Sequence, residues 1–474
     1  MASNFSFIKL KDICVKITKG STPTKKDGGF SEQGINFIKA ESASYDGVLD
    51  ESKFTFVTEG IYEKYKRSQL EENDILFSMA GAFLGKTGLV EKKHLPANTN
   101  QALALIRVDS SRANPKFVLY SLQQRRIVHF VNNSISQSAQ PNINLQQIGD
   151  LDIEFPARDI QDSIVNVLDS IVQRTLVNRQ TNQTLEQMAQ ALFKSWFVDF
   201  DPVIDNALAA GNAIPDELQH RVEIRKKAHA LQKQNPNIKP LPEATQHLFP
   251  SEFEYCGDNT LGIHGWMPQG WEIKELSQIV KHQKGFAFKS SWYQDEGHIV
   301  VRVSDTTHDS IDVNSCNKIS PELAVEYSAY ALKVNDVVIA SVGSWPPNYS
   351  SVVGKVIRVP STAEGGLLNQ NAVKLTVSNE YSFHQGFLYM YLKNSRFMEY
   401  IVNRAQGSAN QASITLKSIF NFPILLANPE VMRAFSVQVK LNFEKQDFNS
   451  SQTEVLTKLR DSLLPKLISG EITT

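Results

Sequence analysis

Cysteine is scarce in this sequence, and its scarcity argues against two kinds of structural support. The 474 residues include three cysteines, Cys14, Cys256 and Cys316, which lie far apart and form no C-x-x-C pair. A disulfide framework or a zinc site would need cysteines at closer, repeated spacings. We therefore expect neither feature, and a cytoplasmic protein is the default expectation.

Long hydrophobic runs and an excess of one charge are also absent. No stretch of 18 apolar residues occurs, and the first residues, MASNFSFIKLKD, lack the pattern of a signal peptide, so no membrane association is expected. Lys and Arg total 49 and Asp and Glu total 50, which gives a net charge of −1. This balance argues mildly against binding nucleic acid by charge alone, but it allows base reading beside a basic partner.

The sequence does contain an internal repeat. Four segments recur in the same order, at an offset that drifts only from about 262 to 271 residues. Such ordered recurrence indicates two copies of one structural plan. The matched segments are 73–81 with 335–343, 98–108 with 366–377, 139–148 with 410–419, and 185–197 with 456–468.

One stretch of the first copy, GAFLGKT at 81–87, nearly matches a phosphate-binding loop. The required pattern is G-x-x-x-x-G-K-[ST], whereas only three residues separate Gly81 from Gly85. The corresponding turn of the second copy, between Gly343 and Gly354, is about seven residues longer. A phosphate loop could not accept that change, so we predict a strand–turn–strand and no nucleotide site.

The longer turn contains WPPNY at 345–349, a scrambled form of an amino-methyltransferase motif. That chemistry needs Asn or Asp before the two prolines to hold the amino group, and an aromatic residue after them to stack the base. Trp345 occupies the polar position and Asn348 the aromatic one. We therefore predict no methyltransferase site, and no catalytic or metal-binding residues.

Each copy is predicted to be an α+β domain followed by a long helix. Short apolar runs between Gly, Asn, Ser and Pro indicate strands, and apolar residues at three- and four-residue spacing indicate helices. A heptad row in the first long helix includes Asn178, and the equivalent row in the second includes Asn449. A polar residue on such a seam can fix the register of a coiled coil. A frayed or solvated helix face is the alternative that the sequence leaves open.

Segments of both copies resemble those of a known family. TLEQMAQALFKSWFVDFDPV at 184–203 and LRDSLLPKLISGEI at 459–472 resemble the two helical regions of type I restriction–modification specificity subunits. PQGWEIKELSQI at 268–279 resembles the start of their target-recognition domains. The resemblance covers essentially the whole chain, and the order of parts agrees.

The resemblance implies a non-catalytic subunit that binds double-stranded DNA by sequence. Each of two target-recognition domains would read one half of a bipartite, asymmetric site. Two antiparallel helices would set the gap between the halves and dock two methyltransferase subunits, which restriction subunits would join. S-adenosylmethionine, ATP and Mg would be bound by those partners, and no cofactor by this chain.

The predicted fold class is α+β, with two pseudo-repeated, strand-rich recognition domains separated by two long antiparallel, coiled-coil-like helices. A linker with one exposed helix, within HRVEIRKKAHALQ, is expected between the copies because that region is rich in Pro, Asn and charge. The predicted segments are recognition domain one (1–156), the central helix (157–200), the linker (201–265), recognition domain two (266–427) and the C-terminal helix (428–474).

Candidate DNA-binding residues are amides and hydroxyls for base edges and basic residues for bases and phosphates. Their recurrence at matching places raises them above ordinary polar turns. In the first copy they are Gln101, Gln137, Ser138, Gln140, Asn142, Lys25, Lys26, Lys86, Arg125 and Arg126. In the second they are Gln370, Asn371, Arg404, Gln406, Ser408, Asn410, Gln411, Lys289 and Lys355.

Candidate docking residues for partner subunits lie on the long helices. The dense apolar group near Trp196 could equally be core against a recognition domain. The set is Leu185, Met188, Leu192, Phe193, Trp196, Phe197, Leu456, Leu459, Leu463 and Leu467. A stand-alone DNA-binding regulator or a helical scaffold remains the alternative function.

Overall fold

A computed structural model describes residues 5–81, 84–133, 142–307, 310–349, 351–381, 383 and 385–472. The chain divides into unit one, Met1–Val177 with Gln452–Thr474, and unit two, Asn178–Ser451. Each unit therefore contains one copy of the repeat together with part of each long helix. Within the described residues, every helix falls short of the length and apolarity that crossing a membrane requires.

The central sheet of unit one has four antiparallel strands, in the spatial order Cys14–Lys19, Leu103–Val108, Ile75–Ser78 and Thr87–Leu89. Its inner strands, LALIRV and ILFS, are almost entirely buried. Because side chains alternate along a strand, Ile75 and neighbours on its face join one hydrophobic cluster, and those on the opposite face join another.

Within its described residues, the recognition domain of unit one also contains two smaller sheets and four short α-helices. Thr55–Val57, Ile35–Ile38 and Ala97–Thr99 form the three-stranded sheet, in which the last two strands are parallel. Phe7–Lys9 pairs with Asp152–Glu154. The helices are Glu59–Lys64, Pro115–Leu122, Arg125–Asn133 and Leu145–Gly149.

Unit two repeats the same three sheets. Its four-stranded antiparallel sheet has the order Val280–Lys284, Ala372–Val377, Val337–Ala340 and Val356–Arg358. Its three-stranded sheet has the order Asn317–Ile319, His298–Val301 and Leu367–Leu368, and Glu272–Glu275 pairs with Pro423–Leu426. The matching order confirms the predicted repeat and the α+β class.

Further elements of unit two lie around these sheets. The additional strands are Phe253–Tyr255, Trp266–Pro268, Thr306–Thr307, Ser310–Ile311, Val342–Gly343, Gln406–Ser408 and Gln411–Ser413. The helices of its recognition domain are Leu276–Ile279, Pro321–Glu326, Gln385–Lys393, Ser395–Val402 and Leu416–Phe420.

The stretch that resembled a phosphate-binding loop joins two antiparallel strands. Ser78 donates from its backbone N–H to the carbonyl of Lys86 at 2.8 Å, and Gly85 donates back to Ser78 at 3.0 Å. Gly81 and Gly85 have φ of 69° and 78°, which glycine adopts without strain. The predicted strand–turn–strand is confirmed, and a strand rather than a helix follows the turn.

Each long helix contributes to both units. The first spans Arg158–Phe193 and the second Pro429–Ile468. In unit one, Leu168 of the first helix and Leu467 of the second belong to one core cluster. In unit two, Asn182 and Gln446 each donate a side-chain N–H to the other's backbone carbonyl at 3.0 Å.

The two seam asparagines are buried and contact the opposite helix within unit two. Asn178 donates to the carbonyl of Asn449 at 3.4 Å, and Asn449 donates to Oδ1 of Asn182 at 2.9 Å. Asn178 and Asn449 are only 3% and 2% exposed, so neither faces solvent. Here Asn178 contacts Asn449 and Asn182 contacts Gln446, so the helices run antiparallel, with these polar contacts on their seam.

The segment 201–265 differs from the linker that its composition suggested. It contains the helices Asp201–Ala210, Gln219–Gln234 and Glu243–Gln246, and its apolar residues enter the core of unit two. Arg221 pairs with both carboxylate oxygens of Asp201, at 2.7 and 2.8 Å. A polar sequence can therefore pack on the rest of unit two. Its few apolar residues, at helical spacing, are buried in the core, and its charged side chains neutralise one another.

Candidate nucleic-acid interface

The two predicted polar segments of unit one meet at the end of its central strand. Met79 directly follows the strand Ile75–Ser78, and its N–H donates to the carbonyl of Ala102 at 2.9 Å. The carbonyl of Met79 accepts from the N–H of Ile143, also at 2.9 Å. The neighbouring side chains, Gln101 and Asn142, are exposed. Two segments distant in sequence thus form one polar surface.

The same arrangement recurs in unit two around Ser341, which follows the strand Val337–Ala340. Its N–H donates to the carbonyl of Asn371 at 2.9 Å, and its carbonyl accepts from the N–H of Ile414 at 3.0 Å. Gln370 is exposed and Asn371 is half-buried in this loop. The loop therefore lies beside the segment that leads into Ile414.

A glycine brings a third segment to each of these surfaces. A Cβ at Gly20 would lie 2.2 Å from the carbonyl oxygen of Thr99, and one at Gly285 would lie 2.0 Å from that of Asn369. Both distances are far below contact, so only glycine allows the approach. The chains that continue from these glycines lead to the predicted basic residues Lys25 and Lys289.

In unit two, the segment before Ile414 is a β-hairpin with one polar face. Gln406–Ser408 pairs with Gln411–Ser413, which also pairs with Val342–Gly343. Gly407 and Ala412 oppose each other, and Ala412 is fully buried. Because side chains alternate, the opposite face carries four exposed polar residues, in cross-strand pairs. They are Gln406 with Ser413 and Ser408 with Gln411.

Arg404 and Asn410 flank this polar face. Asn410 is exposed in the turn of the hairpin. The exposed guanidinium of Arg404 lies 3.7 Å from the ring centroid of Tyr400, an arrangement that limits the conformations of a long side chain. The predicted residues Arg404, Gln406, Ser408, Asn410 and Gln411 are therefore brought together and exposed.

The corresponding segment of unit one is described only in part. The predicted residues Gln137, Ser138 and Gln140 lie outside the described residues. Asn142 forms an antiparallel bridge with Ala80, which matches the pairing of Ser413 with Val342 in unit two. In both units, the polar segment therefore pairs in the same way with the residues that follow the central strand.

Basic residues of unit one lie on structured turns. Lys25 and Lys26 are exposed on the 3₁₀ turn Lys25–Asp27. Hydrogen bonds from Lys64, then from Thr24 and Tyr65, hold the pKa of Asp27 well below its usual value. Asp27 is therefore ionised at neutral pH and stabilises this turn through the hydrogen bonds that it accepts.

The other predicted basic residues have specific surroundings, and Lys86 is half-buried whereas Arg125 and Lys289 are exposed. Arg125 is exposed at the start of the helix Arg125–Asn133. The Nζ of Lys86 lies 5.3 Å from the ring centroid of Tyr45, and that of Lys289 lies 5.3 Å from the ring centroid of Trp292. Cation–π contacts of this kind restrict the positions of the two ammonium groups.

Two predicted phosphate contacts are engaged elsewhere. Lys355 is only 8% exposed, and its Nζ donates to the carbonyl of Thr306 at 3.0 Å. The prediction that Lys355 contacts DNA is therefore wrong, because its ammonium group lies inside unit two. Arg126 forms an ion pair with Glu154 and donates to the carbonyl of Asp152 at 3.1 Å, so its charge is already balanced.

The predicted docking residues divide into core and surface. Phe193, Trp196 and Phe197 are 3–4% exposed and stack among other aromatic rings in the core of unit two. Leu467 is buried in unit one in the same way. A docking role for these four is wrong, because their side chains are buried in the cores of their own units and are not available to a partner. Leu185, Leu192, Leu456 and Leu463 are half-buried, whereas Met188 and Leu459 are exposed.

Several exposed residues were missed by reasoning from the sequence. Ser413 completes the polar face of the hairpin, and the alternation of Gln411, Ala412 and Ser413 was the available signal. Exposed apolar residues also lie on the second long helix within unit two. They are Val437, Leu441 and Phe448, at four- and seven-residue spacing on one face.

The described residues contain no group of three or more His, Cys, Asp or Glu side chains arranged to hold a metal ion. Burial raises the pKa of the Cys14 thiol to about 12 and also raises that of Cys316 to about 12, so both thiols are protonated at neutral pH. The features that recur in both units are polar loops and basic turns, which fit recognition of a polyanion better than covalent chemistry.

Comparison with known proteins gives a specific match. The family of the type I restriction modification DNA specificity domain matches residues 2–187 and 268–431. The HindI type I restriction enzyme specificity subunit of Haemophilus influenzae is 25% identical over 418 residues, which cover 86% of this chain and 88% of that protein. The MjaIX specificity subunit of Methanocaldococcus jannaschii is 21% identical, with coverage of 98% and 92%.

Solved structures also include similar chains. The crystal structure of a type I restriction-modification system S subunit from M. genitalium has a TM-score of 0.49 and 16% identity. The similarity covers 98% of this chain and 96% of that one.

Proposed function

The chain belongs to the type I restriction modification DNA specificity family, and from this premise we propose that its polar loops and hairpin are the elements that read DNA. Members of this family supply sequence recognition and no catalysis, and each of the two recognition domains reads one half of a bipartite, asymmetric site. The family match supports this function over a stand-alone regulator or a helical scaffold. The step we add is the assignment of reading to particular residues.

The hairpin of unit two is the observation that carries this assignment. A two-stranded β-ribbon fits the major groove, where each base pair presents a distinct pattern of donors and acceptors. Gln406 and Gln411 are exposed on the polar face of the ribbon, and their side-chain amides can pair with adenine edges. Gln370, from the adjacent loop, extends the same set of amides.

Basic residues around each surface would position the protein on DNA without specifying sequence. In unit one these are Lys25, Lys26, Lys86 and Arg125, and in unit two Lys289 and Arg404. A few basic residues per unit are compatible with a net charge of −1, because partner subunits would contribute further basic surface.

Assembly would use the exposed faces of the long helices. Val437, Leu441 and Phe448 are each more than half exposed on one face of the second helix, and Met188 is 56% exposed on the first. Apolar side chains at this spacing suit a helix–helix contact with a methyltransferase subunit. We propose two methyltransferase subunits per chain, joined by restriction subunits, with S-adenosylmethionine, ATP and Mg bound by those partners.

Replacing Gln406 and Gln411 by Ala tests the assignment of reading. In the complex with its methyltransferase, the variant should methylate sites that are altered in one half only, since each lost base contact costs about 1–3 kcal/mol of discrimination. Mapping methylated adenines across a genome or a site library measures this. Gln269→Ala is the matched control, an exposed glutamine elsewhere in unit two. Unchanged specificity, or relaxation of both halves together, would contradict the assignment.

Helix length tests the proposal that the helices set the gap between the half-sites. Four residues added to each long helix lengthen it by about 6 Å, which is close to two base-pair steps of roughly 3.4 Å. The unread gap should grow by one or two base pairs while both half-sites keep their sequence. The same methylation map reports both quantities, and a change in the bases read with no change in the gap would be evidence against this role.

A further inference from the structure

Unit two carries a loop for which unit one has no counterpart of equal length. The turn after Gly343 is about seven residues longer than the turn after Gly81. We name residues Ser344–Tyr349 the insertion loop. It leaves the strand Val342–Gly343, which pairs directly with the reading hairpin.

The insertion loop is closed at its base by backbone contacts. The N–H of Ser344 donates to the carbonyl of Ser351 at 2.8 Å, and the N–H of Val353 donates back to Ser344 at 3.1 Å. A Cβ at Gly343 would lie 2.4 Å from the carbonyl oxygen of Ser351, so the returning chain packs where only glycine leaves room. The two ends of the loop are thereby fixed to each other.

Contacts within the insertion loop also define its shape. The hydroxyl of Ser344 donates to the carbonyl of Asn348 at 2.8 Å, and the N–H of Tyr349 donates to the carbonyl of Pro347 at 2.9 Å. Two adjacent prolines, Pro346 and Pro347, further restrict the backbone. These contacts fix the backbone path of residues 344–349.

Trp345 connects the insertion loop to the hairpin. Its Nε1–H donates to the carbonyl of Ser408 at 2.8 Å, and its ring packs against the core of unit two. Ser408 lies in the edge strand of the three-stranded ribbon, Gln406–Ser408. Because this edge strand pairs with only one neighbouring strand, the hydrogen bond from Trp345 holds the strand that carries Gln406 at a further point.

At the end of the insertion loop, Tyr349 extends into solvent and is 61% exposed. An aromatic side chain this exposed contributes little to the core. Tyrosine hydroxyls are among the groups that donate to phosphate oxygens in protein–DNA complexes. Tyr349 therefore presents a suitable donor to solvent, on the loop that Trp345 connects to the hairpin.

We propose that the insertion loop supports DNA reading in unit two: Trp345 is a positioning residue for the reading hairpin, and Tyr349 contacts the sugar–phosphate backbone of the DNA that the hairpin reads. This proposal rests on the proposed function of the hairpin and deepens it. Unit one has a short turn at this place and would read its half-site without an insertion loop.

Trp345→Phe tests the positioning role, because it keeps a ring and removes the donor to Ser408. In the complex with the methyltransferase, discrimination at the unit-two half-site should fall about three- to tenfold, the equivalent of one hydrogen bond. Discrimination at the unit-one half-site should not change. Trp266→Phe is the matched control in the same unit. Unchanged discrimination would overturn the positioning role, even if the melting temperature fell, since Trp345 would then be merely structural.

Tyr349→Phe tests the backbone contact. Affinity of the complex should fall by about the same three- to tenfold factor for the cognate site and for DNA altered in the unit-two half-site, because phosphate contacts carry no sequence information. Equal affinity of Tyr349→Phe and wild type would overturn this contact. A loss confined to the cognate sequence would also overturn it, since Tyr349 would then read bases.

The hairpin variants separate failure of this inference from failure of the proposed function. Relaxed specificity in Gln406→Ala with none in Trp345→Phe would overturn only the positioning role. Unchanged specificity in both Gln406→Ala and Gln411→Ala would show that the hairpin does not read DNA, and would overturn the proposed function and the inference together.

Discussion

The two units share their sheets but attach them to the long helices through different contacts. In unit one, the hydroxyl of Tyr120 donates to Asp169 of the first long helix at 2.6 Å, and Lys116 pairs with the same carboxylate. In unit two, Arg358 of the four-stranded sheet forms two hydrogen bonds, of 2.9 and 3.0 Å, with Asp447 of the second long helix. The repeated backbone plan therefore tolerates different side-chain anchors.

The chemistry of the two anchors differs as well. Burial, and then the hydrogen bond to Asp169, raises the pKa of Tyr120, so its phenol remains a donor at any physiological pH. The guanidinium of Arg358 lies 4.3 Å from the ring centroid of Phe443. Arg358 and its ion-pair partner Asp447 are both largely buried. A neutral donor therefore contributes to one anchor, whereas the other depends on a buried ion pair that would be costly to break.

The ends of the repeat also differ in side-chain size. Phe193, Trp196 and Phe197 of unit two match Leu464, Leu467 and Ile468 of unit one in the aligned sequences, and all six are buried. The aromatic set contacts rings outside the repeat, such as Phe249, whose ring centroid lies 4.9 Å from that of Trp196. Larger side chains thus allow unit two to pack the additional segment 201–265.

The largest expected effect comes from Phe197→Ala, which should lower the free energy of unfolding by about 3–5 kcal/mol by opening a cavity in the aromatic cluster. The paired surface change, Leu441→Ser with Phe448→Ser, should alter stability by less than about 1 kcal/mol but weaken co-purification with the methyltransferase. Denaturant unfolding and pull-down measure the two quantities. If Phe197→Ala folded stably but no longer bound the methyltransferase, the aromatic cluster would have a docking role after all.

A smaller effect is expected from breaking the anchors. Arg358→Met leaves Asp447 buried without its partner, and should cost about 3 kcal/mol of stability. Lys116→Met should cost less than about 1 kcal/mol, because Lys116 is partly exposed and Asp169 keeps Tyr120. Thermal or denaturant unfolding compares the two variants. Equal losses would show that the anchors do not differ as their burial indicates.

The smallest effect separates an exposed lysine from a buried one. Lys289→Ala should weaken DNA binding uniformly across sequences and reduce the slope of log affinity against log salt by about one. Lys355→Met should leave that slope unchanged, since its ammonium group is bound to the carbonyl of Thr306. Binding isotherms at several salt concentrations provide the test, and a reduced slope for Lys355→Met would place that residue at the interface after all.

Much of the fold was predictable because each element of the repeat is indicated independently in both copies of the sequence. The matched strands, the two long helices and the seam positions of Asn178 and Asn449 follow from periodicity and spacing, which are local properties. The segment 201–265 was not predictable in the same way. Its order depends on ion pairs such as Arg221 with Asp201, whose partners are 20 residues apart and whose pairing no local pattern announces.

The sequence predicted where the candidate interface lies, but not which individual residues are exposed there. Recurrence of polar candidates at matching places in the two copies identified the loops that the structure brings together at Met79 and Ser341. The same reasoning could not tell Lys289 from Lys355, because burial of a lysine depends on which carbonyl lies within reach of its ammonium group. It also set aside Trp345 and Tyr349 as a failed motif, although one contacts the reading hairpin and the other extends into solvent.

By itself, the sequence determined the duplicated α+β plan, the long helices and the family, since each depends on residue order and spacing along the chain. Only the tertiary structure decided that Phe197 is core, that Lys355 is buried and that Trp345 contacts the hairpin. Burial and contact depend on atoms brought together from distant parts of the chain, and hydrophobic packing and hydrogen bonding act through that proximity whatever the separation in sequence.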